Sequence, residues 1–178
     1  QGKVPSDVAN RGDLWIATYH GLGLLSKGRF TCITKEAGLP NEIVRSLCLT
    51  RDGMLYAGTY GGGLVRLRNG KVVDVLSTRT GFPSDVIFSM REAGDGGMWV
   101  ATEGGGLVKV RPDGTFTQIG TRQGLSHDVA RALLLDVDGT LWVGTHGGGL
   151  NRVAGDRVTH LNTAQGLPDD VVHQILPD

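Results

Sequence analysis

Apolar residues along this chain come in short bursts separated by glycine-centred breaks. Ile43 to Leu49 is mostly apolar, and Asp52-Gly53 follows as a turn signal that favours a hairpin. Leu55 to Thr59 is apolar on both alternating faces, the pattern of a strand buried on both sides. Gly61-Gly62-Gly63 interrupts it, Leu64 to Arg68 resumes, and Asn69-Gly70 turns the chain again. Lys71 to Leu76 then makes a fourth strand before Gly81-Phe82-Pro83. Four strands within about 43 residues leave no room for a helix of ordinary length.

The same text recurs. An aromatic residue precedes a small residue and a threonine in Trp15-Ile-Ala-Thr18, Tyr56-Ala-Gly-Thr59, Trp99-Val-Ala-Thr102 and Trp142-Val-Gly-Thr145, with the threonines 41, 43 and 43 residues apart. The turn glycines Gly38, Gly81, Gly124 and Gly166 keep the same phase at 43, 43 and 42. Four-stranded units at this period are propeller blades, whereas leucine-rich repeats are shorter and helical repeats carry a 3.6-residue spacing. The large aromatic column faces a small one, Ala17, Gly58, Ala101 and Gly144, which lets twisted sheets approach closely.

The expected fold is therefore all-β: a propeller of four four-stranded blades with closure by the terminal strand. A lead-in with an incomplete first strand occupies residues 1–11, and the propeller occupies 12–178. The blades fall at approximately 12–38, 39–81, 82–124 and 125–166. Val171 to Leu176 reads as a first strand without its hairpin, so residues 167–178 would complete the first blade. Closure within one molecule gives four blades; exchange between two copies gives an eight-bladed homodimer; a third reading is a fragment of a larger propeller.

Composition refines this picture. Twenty-nine glycines in 178 residues are about 16%, against an ordinary usage of about 7%. Their fixed phase assigns them to turns, not to collagen or disorder. Eighteen basic residues balance eighteen acidic ones, which gives no electrostatic footprint for nucleic acid or an anionic membrane surface. No apolar run reaches the roughly 18 residues of a membrane span, so no membrane insertion is expected within this chain. Cys32 and Cys48 fall in different strands of neighbouring units and are expected to be unpaired.

Asp138-Gly-Thr-Leu-Trp-Val-Gly-Thr-His-Gly-Gly-Gly-Leu-Asn-Arg152, followed by Gln165-Gly-Leu-Pro-Asp-Asp-Val-Val172, resembles the two-component regulator propeller repeat. Asp13 to Leu25, Asp52 to Leu67 and Asp95 to Val110 vary the same text. The resemblance implies an extracytoplasmic (periplasmic) sensor region of a bacterial signalling protein, some of which recognise oligosaccharides. It departs from the family in having four repeats in place of about seven or fourteen, and in carrying no output module within these residues.

Strands that run alternately up and down place the Gly-Gly-Gly and Gly-Leu-Pro turns on one face and the Asp-Gly and Asn-Gly hairpins on the other. Ligand-binding candidates on the first face are Tyr19, His20, Tyr60, Glu103 and His146, which follow the recurring threonine. Arg45, Phe88, Arg131 and His173 occupy one column near the start of each blade's first strand. The Gly-Leu-Pro loops add Asn41, Glu42, Ser84, Asp85, His127, Asp128, Asp169 and Asp170. Aromatic faces beside arginine and histidine suit a sugar ring, particularly one bearing a carboxylate or sulfate. A solvated rim uses the same residues, and a protein-interaction scaffold is the alternative function.

The glycine triplets are not phosphate loops, because no Lys-Ser/Thr and no helix follows. Asp136-Val-Asp138-Gly139 lacks the remaining ligands of a calcium loop and reads as a hairpin turn. The repeated threonines are expected to bond nearby backbone. No motif calls for a cofactor or a metal, and no catalytic set is assigned. One enzymatic alternative is a metal-dependent lyase-like propeller built from His20, His146, His173 and Glu103.

Overall fold

The computed structural model describes residues 13–177, so the lead-in expected over 1–11 lies outside the described residues. Each repeat folds into one antiparallel meander. The first contains β1 (Leu14–Thr18), β2 (Gly21–Ser26) and β3 (Arg29–Ile33); the second contains β4 (Val44–Leu49), β5 (Met54–Thr59), β6 (Leu64–Arg68) and β7 (Lys71–Leu76). The third contains β8 (Ile87–Glu92), β9 (Met98–Thr102), β10 (Leu107–Val110) and β11 (Phe116–Ile119). The fourth contains β12 (Ala130–Leu135), β13 (Leu141–Thr145), β14 (Leu150–Ala154) and β15 (Arg157–Leu161). Neighbours in sequence are neighbours in each sheet, the topology of propeller blades.

The chain divides into two compact units, residues 1–87 and 88–178. The first blade has three strands among the described residues. The strand expected at Val171–Leu176 does not form: Val171 makes a single antiparallel bridge with His146, and residues 172–177 are not strand. A strand takes its order from a neighbour's hydrogen bonds, and the second unit offers this segment only that bridge among the described residues.

Turn chemistry follows the sequence closely. Asn69-Gly70, with φ of 51° and 71°, makes the two-residue hairpin between β6 and β7. Between blades the chain forms a single 3-10 turn: Lys35–Ala37, Thr78–Thr80, Thr121–Gln123 and Thr163–Gln165. Each ends on the phased glycine in the left-handed conformation, with φ between 86° and 100°.

Apolar strand residues bury themselves between blades. In the first unit Leu22 and Ile33 of the first blade join Val44, Leu55, Ala57, Val65 and Leu67 of the second in one buried cluster. In the second unit Ala101 and Leu107 of the third blade join Ala130, Leu133, Leu141, Val143 and Val153 of the fourth. Full burial of a Val or Leu side chain contributes about 1.5–3 kcal/mol. Neither cysteine forms a disulfide.

The small column of the sequence meets a matched column. A Cβ on Gly58 would lie 2.3 Å from Oγ of Ser46 and 2.6 Å from Cγ2 of Ile87, and one on Gly144 would lie 2.6 Å from Cγ1 of Val172. Where the small residue is Ala101, the equivalent of Ile87 is Ala130, in the same buried cluster. Glycine against a branched residue and alanine against alanine thus fill similar volumes at three of the four positions, while Ala17 packs on the cluster that holds the branched Val44.

Gly58→Ala should therefore destabilise the protein by about 1–3 kcal/mol through overpacking. Ile87→Ala in the same background should restore part of that loss, giving a coupling of about 0.5 kcal/mol or more in a double-mutant cycle. Urea midpoints of the four proteins measure it; purely additive effects would contradict the matched packing.

Candidate functional site

The loop-rich face is built from two elements, and each does structural work first. The hydroxyl of Thr59 donates to the carbonyl of Gly63 at 2.8 Å and accepts from the Gly62 amide at 2.9 Å. Thr102 and Thr145 make the same bond to Gly106 and Gly149. The expectation that these threonines bond local backbone holds in every blade, including Thr18 with Gly21.

The loops after the 3-10 turns complete this lattice. Gly61 and Gly63 amides both donate to the carbonyl of Asp85 at 2.8 Å. Gly106 donates to Asp128, Gly147 and Gly149 to Asp170, and Gly21 to Glu42. Meanwhile the Asp85 carboxylate accepts from the amide and hydroxyl of Thr78, and Asp128 and Asp170 do the same for Thr121 and Thr163. The residue before each acid closes a local turn: Asn41 on Ile43, Ser84 on Val86, His127 on Val129 and Asp169 on Val171. These loop polar groups are committed to holding the loops, a task that their variable identities concealed in the sequence.

The column near the start of each first strand is placed differently. In the first unit the Arg45 guanidinium lies 5.5 Å from the centroid of the Tyr60 ring, which is 43% exposed. In the second unit the Arg131 guanidinium lies 5.1 Å from the Phe88 ring. Cation–ring pairs within about 6 Å contribute about 0.5–1 kcal/mol when exposed. Nε of Arg131 is buried and has no hydrogen-bond partner among the described residues.

Phe88, Arg131 and His173, predicted from one sequence column, line a single cleft of about 270 Å³ in the second unit. Arg91, Leu134 and Leu176 also line it and were missed by the sequence reading. They share a column of their own, three residues after Phe88, Arg131 and His173, whose signal is its departure from a common residue type. Glu103, on an exposed bend, and His146, exposed at its bridge to Val171, do not line this cleft. Tyr19 and His20 are exposed on the β1–β2 turn of the first unit, Tyr19 at 75%. Among the described residues, no three His, Cys, Asp or Glu side chains converge to hold a metal ion. No helix is long and apolar enough to cross a membrane among them.

Four acids at the β-hairpins are perturbed. A hydrogen bond from the Thr50 hydroxyl, then one from Arg68, holds the Asp52 carboxyl below its ordinary value. Lys109 does the same to Asp95, followed by the Gly97 amide. The Thr140 amide and hydroxyl lower Asp138, and Thr115 lowers Asp113. Burial raises the Tyr56 phenol.

Residues 38–61, 81–104 and 124–147 match the model of the two component regulator propeller. No curated protein matches the sequence. Among solved structures, the extracellular domain of the putative hybrid two component system BT3049 from B. thetaiotaomicron superposes with a TM-score of 0.81 at 23% identity. The match covers 91% of this chain and 23% of that one. The extracellular domain of BT4673 from the same organism gives 0.73 at 27% identity, over 93% of this chain and 23% of that one. Virginiamycin B lyase from Staphylococcus aureus gives 0.71 at 15% identity, covering 92% and 55%, a likeness of fold alone. The chain thus spans about a quarter of the length of the two sensor domains.

The turn acids set an acid limit on stability. Their pKa is lowered by folding, so their contribution is present above the ordinary value of 3.8 and is lost as pH falls through the lower folded values. Urea midpoints should drop on acidification from about pH 5 to about pH 3. The drop should be shallower in Asp52→Asn/Asp138→Asn; identical slopes would contradict the assignment.

Proposed function

We propose that this chain, which carries two component regulator propeller repeats, is a ligand-sensing propeller segment that works outside the cytoplasm and takes a saccharide or another small polar molecule. The observation that carries this reading is an arginine–aromatic pair in each unit, its arginine drawn from the same strand column: Arg45 with Tyr60, and Arg131 with Phe88. A ring face beside a guanidinium combines an apolar platform for sugar C–H groups with donors for its oxygens. Arg45, Phe88 and Arg131 stand on strands β4, β8 and β12 rather than on loops, which favours a geometry fixed before a ligand arrives.

The solved relatives support the sensing role, since two of them are extracellular domains of two component systems. In such a role the chain would transmit occupancy to an output module. The lyase-like alternative lacks a converging ligand set among the described residues.

Thermal unfolding against a panel of oligosaccharides tests the proposal. A ligand at about 100 times its Kd stabilises the folded state by about 2.7 kcal/mol, which raises Tm by roughly 5–10 °C for a chain of this length. Arg131→Ala or Arg45→Ala should diminish the shift while leaving the unliganded protein folded. The absence of a shift with every saccharide, in a protein that captures a protein partner instead, would overturn it.

A further inference from the structure

Resting on the saccharide reading above, we infer that the cleft of the second unit selects an acidic sugar, an oligosaccharide bearing a uronic-acid carboxylate. The charge of its wall is the first argument. Arg91, Arg131 and His173 line the cleft, and no Asp or Glu is among the lining residues. Arginine in a folded protein is ordinarily neutralised by a carboxylate or fully solvated. Arg131 is half-buried, and the partner the structure gives it is the face of Phe88. A ring attracts a cation without cancelling its charge, so the cleft keeps a positive field for a ligand to meet.

The geometry of that arginine narrows the ligand further. Burial of Nε without a partner leaves the two terminal nitrogens as the donors that a ligand can reach. An end-on pair of N–H groups matches the two oxygens of one carboxylate. At the rim, one terminal nitrogen of Arg91 donates to the Met90 carbonyl at 2.8 Å, which steadies a second guanidinium beside the first. Leu134 and Leu176 supply apolar lining, and Leu176 is 81% exposed, the kind of surface that the C–H face of a pyranose covers. A neutral sugar would satisfy the apolar wall and leave both guanidinium groups without a counter-charge.

The test is calorimetric titration of this chain with tri-galacturonate and with the same trisaccharide after reduction of its carboxyls to primary alcohols. Tri-galacturonate should bind at least roughly tenfold more tightly, the value of one charge-assisted bond. The preference should shrink as salt rises from about 0.05 M to about 0.5 M, because the rim is open to ions. Arg131→Gln and Arg91→Gln should each reduce it, whereas Arg157→Gln on β15 should not, with thermal melts confirming that each variant is folded. Equal binding of the two trisaccharides, or binding of the neutral one alone, overturns the acidic preference and leaves the saccharide reading standing. Equally tight, Arg131-dependent binding of a sulfated neutral trisaccharide overturns the restriction to carboxylates. No binding of any of these, and none across a wider saccharide panel, overturns both.

Discussion

Backbone amides of the glycine loops donate to the carbonyl of an acidic residue just beyond the following 3-10 turn, and the same acid's carboxylate caps that turn. One residue therefore ties a blade's loop to the lead-in of the next first strand and fixes the conformation of the connection. The arrangement makes heavy demands on backbone freedom. Gly63 and Gly149 have positive φ, and a Cβ on either would lie 2.2 Å from the carbonyl of Leu76 or Leu161. The threonine hydroxyl closes the same loop from inside, buried and fully bonded. The tie sits two residues before Ile87 and Val172, the residues that Gly58 and Gly144 meet, so we expect it to set how closely the blades pack.

Much of this was legible from the chain alone, for a physical reason. A repeat prints each structural requirement several times, so Thr18, Thr59, Thr102 and Thr145 announced a backbone role by recurring. Strands β6 and β7 fall at the residues that their hairpin signal implied. The dual task of Asp85, Asp128 and Asp170 was not legible, since side chain and carbonyl act separately and the first repeat uses Glu42. The final segment shows the opposite case. Val171 to Leu176 has a strand's composition, but pairing is a property of two segments, and a single sequence contains no statement of which edge is present.

On the reading proposed above, ligand contacts lie where the repeat departs from itself. The column Arg45, Phe88, Arg131 and His173 varies while the residues beneath it hold to type, and two of its members meet aromatic rings. Which ring each arginine meets could not be read from spacing: Arg45 reaches Tyr60 of another column within its own blade, whereas Arg131 reaches Phe88 of its own column in the preceding blade. Arg91, Leu134 and Leu176 escaped notice because their column mixes charge with aliphatic bulk, which in isolation looks like ordinary strand variation.

Native-state hydrogen exchange of the glycine-loop amides tests the central claim most directly. If the tie to the acid carbonyl holds the blades together, Gly63, Gly106 and Gly149 should exchange only through global unfolding, with the protection of buried strand residues such as Val65 and Val143. Exchange of those glycines at the rate of free surface loops, while the strands stay protected, would show that the loops open independently and would contradict the account.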